Sequence, residues 1–130
     1  MRKLLGLVLV VGLAFVSGCS EEIHITVPYK VVGYHAGKSS AFGTIFVHVD
    51  LTGVTNDVGY QELQKISRKL CYGKNVCFVH FWDKEENAAR AIPMSDKQVK
   101  TMIASYNINQ NSGNDKFQCH PFFGPGERCN

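Results

Sequence analysis

The sequence has little excess of charge of either sign. Its 14 Lys and Arg side chains stand against 11 Asp and Glu side chains, and the lysines are dispersed along the chain. Nucleic-acid-binding domains usually carry a basic stripe or patch on one face. We therefore exclude nucleic acid as a partner.

The sequence also lacks an apolar run long enough to cross a bilayer. The uncharged run Leu4–Val16 covers about two-thirds of the roughly 20 residues that a membrane-spanning helix needs. It follows Arg2 and Lys3, and a basic start before a short apolar run is typical of a cleaved signal peptide. We therefore predict export of the chain rather than a permanent span.

Two common catalytic motifs are missing as well. Neither the Gly-x-Ser-x-Gly of a nucleophile elbow nor the His-Glu-x-x-His of zinc proteases occurs. Cys119 and His120 are adjacent, but neighbouring residues rarely direct their side chains at each other, and oxidation of Cys119 would remove the nucleophile. A hydrolase is therefore the third of the functions that we consider, and no cofactor is predicted.

The apolar run ends in a recognisable motif, Val16-Ser17-Gly18-Cys19. Small residues before a cysteine resemble the lipobox of bacterial lipoprotein precursors. The resemblance implies that the Cys19 thiol receives a diacylglyceryl group, that residues 1–18 are removed, and that two or three acyl chains anchor the protein to a membrane. Ser20 after the cysteine, rather than Asp, implies sorting to the outer membrane. The alternative is an ordinary signal peptide with Cys19 in a disulfide.

The rest of the chain suits one domain. Loss of residues 1–18 would remove Arg2 and Lys3 and leave 12 basic against 11 acidic side chains. Residues 19–28 are predicted to be a lipidated N-terminus and a tether. Residues 29–130 would form a single disulfide-containing α/β domain with one modest core.

The cysteines besides Cys19 are even in number, which favours two disulfides outside the cytosol. Three pairings are possible in principle. We favour Cys71 with Cys77 and Cys119 with Cys129, because each pair closes a short local loop. A zinc site is the alternative, but these spacings lack the close pairs of structural zinc ligands. No metal site is predicted.

Three segments are predicted to be strands, namely 29–34, Gly43–Leu51 and Val76–Trp82, and the first two would form a hairpin. A helix is predicted before the third strand, because apolar residues recur there at spacings of three and four. This helix should end near Cys71, with Gly73 as its C-cap. Its apolar stripe consists of Tyr60, Leu63, Ile66 and Leu70.

A second helix is predicted to begin at Ser95, which would form a capping box with Gln98. Its buried face would continue to Tyr106, and an Asn-rich run would end it. That face consists of Val99, Met102, Ile103 and Tyr106. The order strand, strand, helix, strand, helix predicts an α+β fold, a small two-layer sandwich with both helices on one sheet face.

A near repeat defines the candidate binding surface. The segments Phe46-Val47-His48 and Phe78-Val79-His80 lie in two predicted strands that a parallel crossover would bring side by side. Strand alternation then places one set of side chains on the face away from the helices. The set consists of Phe46, His48, Asp50, Phe78, His80 and Trp82.

Three functions fit these features. We favour a lipid-anchored envelope protein that binds a protein partner through this face or through the cysteine-bounded tail. Assembly, secretion, exclusion and inhibition are the roles that small lipoproteins suggest by analogy. The alternative is a small-ligand or metal-binding lipoprotein that uses His48 and His80, although the simpler interpretation of both histidines is as partly exposed strand residues. A hydrolase comes third.

Overall fold

The computed structural model describes residues 22–37 and 41–119. These residues form one mixed five-stranded sheet whose strands lie in the order of the sequence, together with two α-helices. The predicted α+β class is confirmed. The predicted signal peptide at 1–18, the lipidated Cys19 and the second member of the Cys119–Cys129 pair lie outside the described residues.

The strands are β1 (Tyr29–Ala36), β2 (Phe42–Val49), β3 (Val76–Trp82), β4 (Ala104–Asn109) and β5 (Asn114–Cys119). β2 and β3 are parallel, and the other three neighbouring pairs are antiparallel. The predicted N-terminal hairpin and the predicted crossover through a helix are both present.

The crossover helix α1 spans Asn56–Leu70. Its apolar stripe, with Leu63 and Ile66 as the buried centre, packs on one face of the sheet, which we call the helix face. Gly73 lies beyond the helix end with a φ of 76°, a conformation that glycine adopts without strain. Alternate side chains of β2 and β3 form the helix face, namely Ile45, Val47, Val49, Cys77, Val79 and Phe81.

A disulfide joins Cys71 to Cys77, as predicted, with 5.7 Å between the two Cα atoms. Cys71 follows the last turn of α1 and Cys77 lies near the start of β3, so the bond closes the connection between the two elements. Both cysteines belong to the buried core on the helix face. Cys119 is also disulfide-bonded.

The second helix is shorter than predicted. The helix α2 spans only Asp96–Thr101, and Ser95 caps it through the predicted box: the Gln98 amide donates to Ser95 Oγ at 3.2 Å, and Gln98 Oε1 accepts from the Ser95 amide at 2.8 Å. The prediction of helix through Tyr106 is wrong, because that residue lies in β4. Ala104, Tyr106 and Ile108 alternate with polar residues, which suits a strand better than a helix.

The last two strands form a hairpin in place of the predicted end of a helix. The Asn-rich run is its turn, where Asn109 Oδ1 accepts a hydrogen bond from the Asn111 amide at 3.0 Å. Gly113 completes the turn with a φ of 72°. The run therefore reverses the chain instead of ending a helix, and β5 becomes the edge strand next to β4.

The prediction that both helices lie on one sheet face is wrong. Trp82 projects from the face opposite α1, and its Nε1 donates a hydrogen bond of 2.9 Å to the Gln98 carbonyl in α2. Met102, directly after α2, packs in the same small core. The second face of the sheet is therefore partly covered, because α2 and the segment before it fold across Trp82.

Candidate functional site

The second face of the sheet carries the side chains that the near repeat predicted. Alternation along β2 and β3 places them together, and they divide into a covered half and an open half. The predicted residues on this face are Phe46, His48, Phe78, His80 and Trp82.

The two histidines share this face but are not directly opposite each other. His80 is paired with Phe46, and His48 is paired with Trp82. The two segments of the near repeat are therefore offset by two residues, about 6.6 Å along the strands. The His80 ring instead stacks on Phe46, with 5.9 Å between ring centroids and 24° between planes. His48 and His80 therefore lie on the same face of neighbouring strands, as expected, but diagonally and not directly opposite each other.

The covered half of the face centres on Phe46 and Trp82, both of which are fully buried. Ala88 and Ala89 pack against them from the segment between β3 and α2. A side chain at Gly33 would collide with the Arg90 carbonyl, so a glycine in β1 admits this covering segment. Phe46 and Trp82 therefore cannot form an exposed binding surface, and their inclusion in the predicted surface is wrong.

Asp50 does not extend the predicted surface either. It lies just beyond β2 and is exposed, and its carboxylate accepts a hydrogen bond of 3.0 Å from the Thr52 amide. Hydrogen bonds from the Thr52 side chain and amide, aided by the nearby His48, lower the pKa of Asp50. This carboxylate therefore stabilises the turn between β2 and α1.

The open half of the second face is formed by Phe42, Phe78, His80 and Asn107, which we call the open patch. All four are half-buried, so part of each side chain reaches solvent. Phe42 and Phe78 meet edge to face with 5.8 Å between ring centroids, and Asn107 is paired with Phe78 across β3 and β4. The patch is thus a small apolar floor with polar groups at its side.

Asn107 gives the open patch an unusual acceptor. Its Oδ1 atom is buried and has no hydrogen-bond partner among the described residues. Buried polar atoms in native proteins are nearly always paired, and an unpaired one costs about 1–3 kcal/mol. Asn107 is not among the predicted site residues, because the Asn-rich run that contains it is predicted to end a helix and not to form a strand.

The N-terminal segment is part of the domain rather than a loose tether. Val27 is buried in the core on the helix face, and Ile25 packs against that core. Between them, the Thr26 amide donates a hydrogen bond of 2.8 Å to Glu62 in α1. The predicted boundary at residue 28 is therefore too late, because apolar residues of this segment complete the core.

Glu62 is a buried carboxylate that fixes the segment. Its side chain is 3% exposed, and Lys65 Nζ lies 3.0 Å from its Oε1. Burial raises the pKa of Glu62, but the hydrogen bonds from the Thr26 amide and from Lys65 outweigh that effect and lower it. The carboxylate is therefore charged at neutral pH and held by two donors.

A cleft lies at the other end of α1, beside the start of the C-terminal tail. Its walls come from the loop after β2, the first turns of α1, and Cys119 at the end of β5. Thr55 precedes α1 without capping it through its side chain. The tail beyond Cys119, which was predicted as a second interaction element, lies outside the described residues.

Among residues 22–37 and 41–119, no cluster of three or more His, Cys, Asp or Glu side chains is arranged to hold a metal ion. Within the same ranges, no helix has the length and apolar character needed to span a membrane. Comparisons of the chain with family models, with curated proteins and with solved structures gave no match.

Proposed function

We propose that this chain is a lipoprotein of the bacterial cell envelope, anchored in the outer membrane by lipid on Cys19, and that it binds a protein partner through the open patch. The protein acts by contact and not by chemistry on a substrate. Assembly, secretion, exclusion and inhibition are the envelope roles that this activity would serve.

The anchoring part rests on the sequence motif and is supported by the state of the cysteines. Val16-Ser17-Gly18-Cys19 resembles a lipobox after a basic and then apolar segment. The disulfide between Cys71 and Cys77 suits an oxidising compartment outside the cytosol. Lipid on Cys19 would leave the oxidised cysteines of the domain unaffected.

The binding part rests on the open patch. Aromatic residues are enriched at the centres of protein interfaces, and Phe42 and Phe78 expose parts of their rings side by side. Asn107 lies beside Phe78, and its buried Oδ1 atom has no hydrogen-bond partner among the described residues. A partner segment with an apolar side chain would cover the two aromatic rings.

Site-specific photocrosslinking in living cells tests this proposal. A photoreactive residue replaces Phe78 in the open patch or, as a matched control, the exposed apolar Val58 on α1. We expect one crosslinked product of defined mass from position 78 and none from position 58. Absence of a product at 78, or the same products from both positions, would refute the patch as the binding surface.

Asn107→Leu tests the buried acceptor by itself. Removal of a buried unpaired acceptor should leave the stability of the domain unchanged or raise it, since no hydrogen bond is lost. Chemical denaturation measures the change. A clear loss of stability in Asn107→Leu would show that this oxygen is paired in the native protein.

A further inference from the structure

The N-terminal segment runs along α1 towards the C-terminal end of that helix. Thr26 is bound at Glu62, in the second turn of α1. Further back along the chain, Glu22 and Ile23 share a groove with Arg68, Lys69 and Tyr72, which belong to the last turn of α1 and the residues just beyond it. The described chain therefore begins against the end of α1.

This position limits how far the helix end can lie from Cys19. Three peptide steps separate Cys19 from Glu22, and a fully extended chain covers at most about 3.6 Å per residue, or about 11 Å here. The electrostatic screening length at physiological ionic strength is about 8 Å. The span of about 11 Å is an upper limit and is comparable to this length, so a lipid on Cys19 would hold the end of α1 close enough to the headgroups for their charge to act on it.

The side chains at this end have the chemistry of a membrane surface. Arg68 and Lys69 lie in the last turn of α1, and Glu22 is the acidic residue in the groove that they line. Basic side chains beside a membrane anchor are attracted to anionic lipids. The two cations outnumber the one carboxylate among the side chains that line the groove.

Two apolar or aromatic side chains are exposed beside these cations. Tyr72 is 90% exposed and Ile23 is 41% exposed. Tyrosine is enriched at membrane–water interfaces, where its ring meets the apolar region and its hydroxyl remains hydrated. The groove, which we call the basal groove, thus combines an aromatic anchor, an apolar side chain and net positive charge.

We propose that the basal groove, formed by Glu22, Ile23, Arg68, Lys69 and Tyr72, is a second membrane contact that binds anionic phospholipid headgroups of the bilayer carrying the Cys19 lipid. This inference rests on the proposed lipid anchor. The domain stands on the membrane with the C-terminal end of α1 downward.

The orientation has a consequence for the partner. Because α1 is the crossover between two parallel strands, its C-terminal end lies at the end of the sheet where β2 and β3 begin. Phe42 and Phe78 are close to this end. The open patch is therefore close to the membrane, whereas Asp50 and Cys119 lie at the far end. A partner would therefore bind the patch close to the bilayer surface.

Depth-dependent quenching of tryptophan fluorescence tests the proposal. The lipidated protein is purified as the Tyr72→Trp or the Val58→Trp variant and reconstituted in vesicles of phosphatidylcholine and phosphatidylglycerol that contain brominated acyl chains. The native Trp82 is buried and contributes equally to both samples. We expect several-fold stronger quenching for Tyr72→Trp, because Val58 lies near the opposite end of α1.

Charge variants test the headgroup contact. Arg68→Gln with Lys69→Gln should reduce the quenching of Tyr72→Trp, whereas Lys97→Gln with Lys100→Gln on α2 should not. Equal quenching at positions 72 and 58, or no effect of the first pair, would overturn the basal groove as an anionic-lipid site. If metabolic fatty-acid labelling of the wild-type chain fails, the proposed anchor itself fails. Labelled protein with equal quenching refutes only this inference.

Discussion

The Thr26 amide donates a hydrogen bond of 2.8 Å to the carboxylate of Glu62 across 36 residues of chain. Glu62 is almost fully buried and also pairs with Lys65. Because Ile25 and Val27 pack in the core on either side of this bond, the segment after the proposed lipid site is held against α1. A lipid on Cys19 would thus be joined to the domain by a short connection.

The first prediction concerns the pH dependence of this contact. The folded-state pKa of Glu62 lies below its ordinary value, so its charge stabilises the fold at neutral pH and the contribution is lost as pH falls through the folded pKa. Glu62→Gln should lower the free energy of unfolding by about 1–3 kcal/mol at pH 7. Between about pH 5 and pH 3, the difference from the wild type should shrink.

Chemical denaturation at several pH values measures this difference. The exposed Glu86→Gln is the control and should follow the wild type at neutral pH. A Glu62→Gln protein as stable as the wild type at pH 7, or a difference that grows on acidification, would contradict the role assigned to this carboxylate.

β2, β3 and the N-terminal cap of α2 could be predicted from the sequence because each has a strong local signal. β2 and β3 are rich in β-branched and aromatic residues, and Ser95 with Gln98 forms a complete capping box. Around Tyr106 the spacing of apolar residues fits two structures. Met102, Ile103 and Tyr106 have helical spacing, whereas Ala104, Tyr106 and Ile108 have the alternation of a strand. Pairing with β3 decides in favour of the strand, and local spacing cannot reveal that.

The site was harder to predict because it depends on register and on covering segments. A shift of two residues between strands keeps every side chain on its face, so alternation could not distinguish a His48 partner from a Phe46 partner for His80. Glu62 shows the same limit. A glutamate within a helix is normally read as exposed, and only its contact with Thr26 accounts for its burial.

The second prediction concerns the disulfide. Replacing both Cys71 and Cys77 by Ala should lower the free energy of unfolding by about 2 kcal/mol, because the short loop gains entropy in the unfolded chain. Equilibrium unfolding in urea measures the change. The exposed Tyr72→Ala in the same loop is the control. A double variant within about 0.5 kcal/mol of the wild type would contradict a stabilising role.

The third prediction concerns the cap of α2. Ser95→Ala removes the acceptor for the Gln98 amide and should lower the free energy of unfolding by about 1 kcal/mol. Ser95→Thr keeps a hydroxyl acceptor and should recover most of the loss. Thermal unfolding of the three proteins measures both effects, and equal losses for Ala and Thr would show that the hydroxyl is not the stabilising group.

The lipid anchor on Cys19 is the central claim, since the proposed partner surface and the basal groove both depend on where the domain is held. Mass spectrometry of the N-terminal peptide from protein extracted from cell membranes tests it most directly. We predict that the peptide begins at Cys19 and carries diacylglyceryl, and that Cys19→Ser abolishes incorporation of labelled fatty acid. An unmodified Cys19 in the mature protein, or undiminished label on Cys19→Ser, would contradict the account.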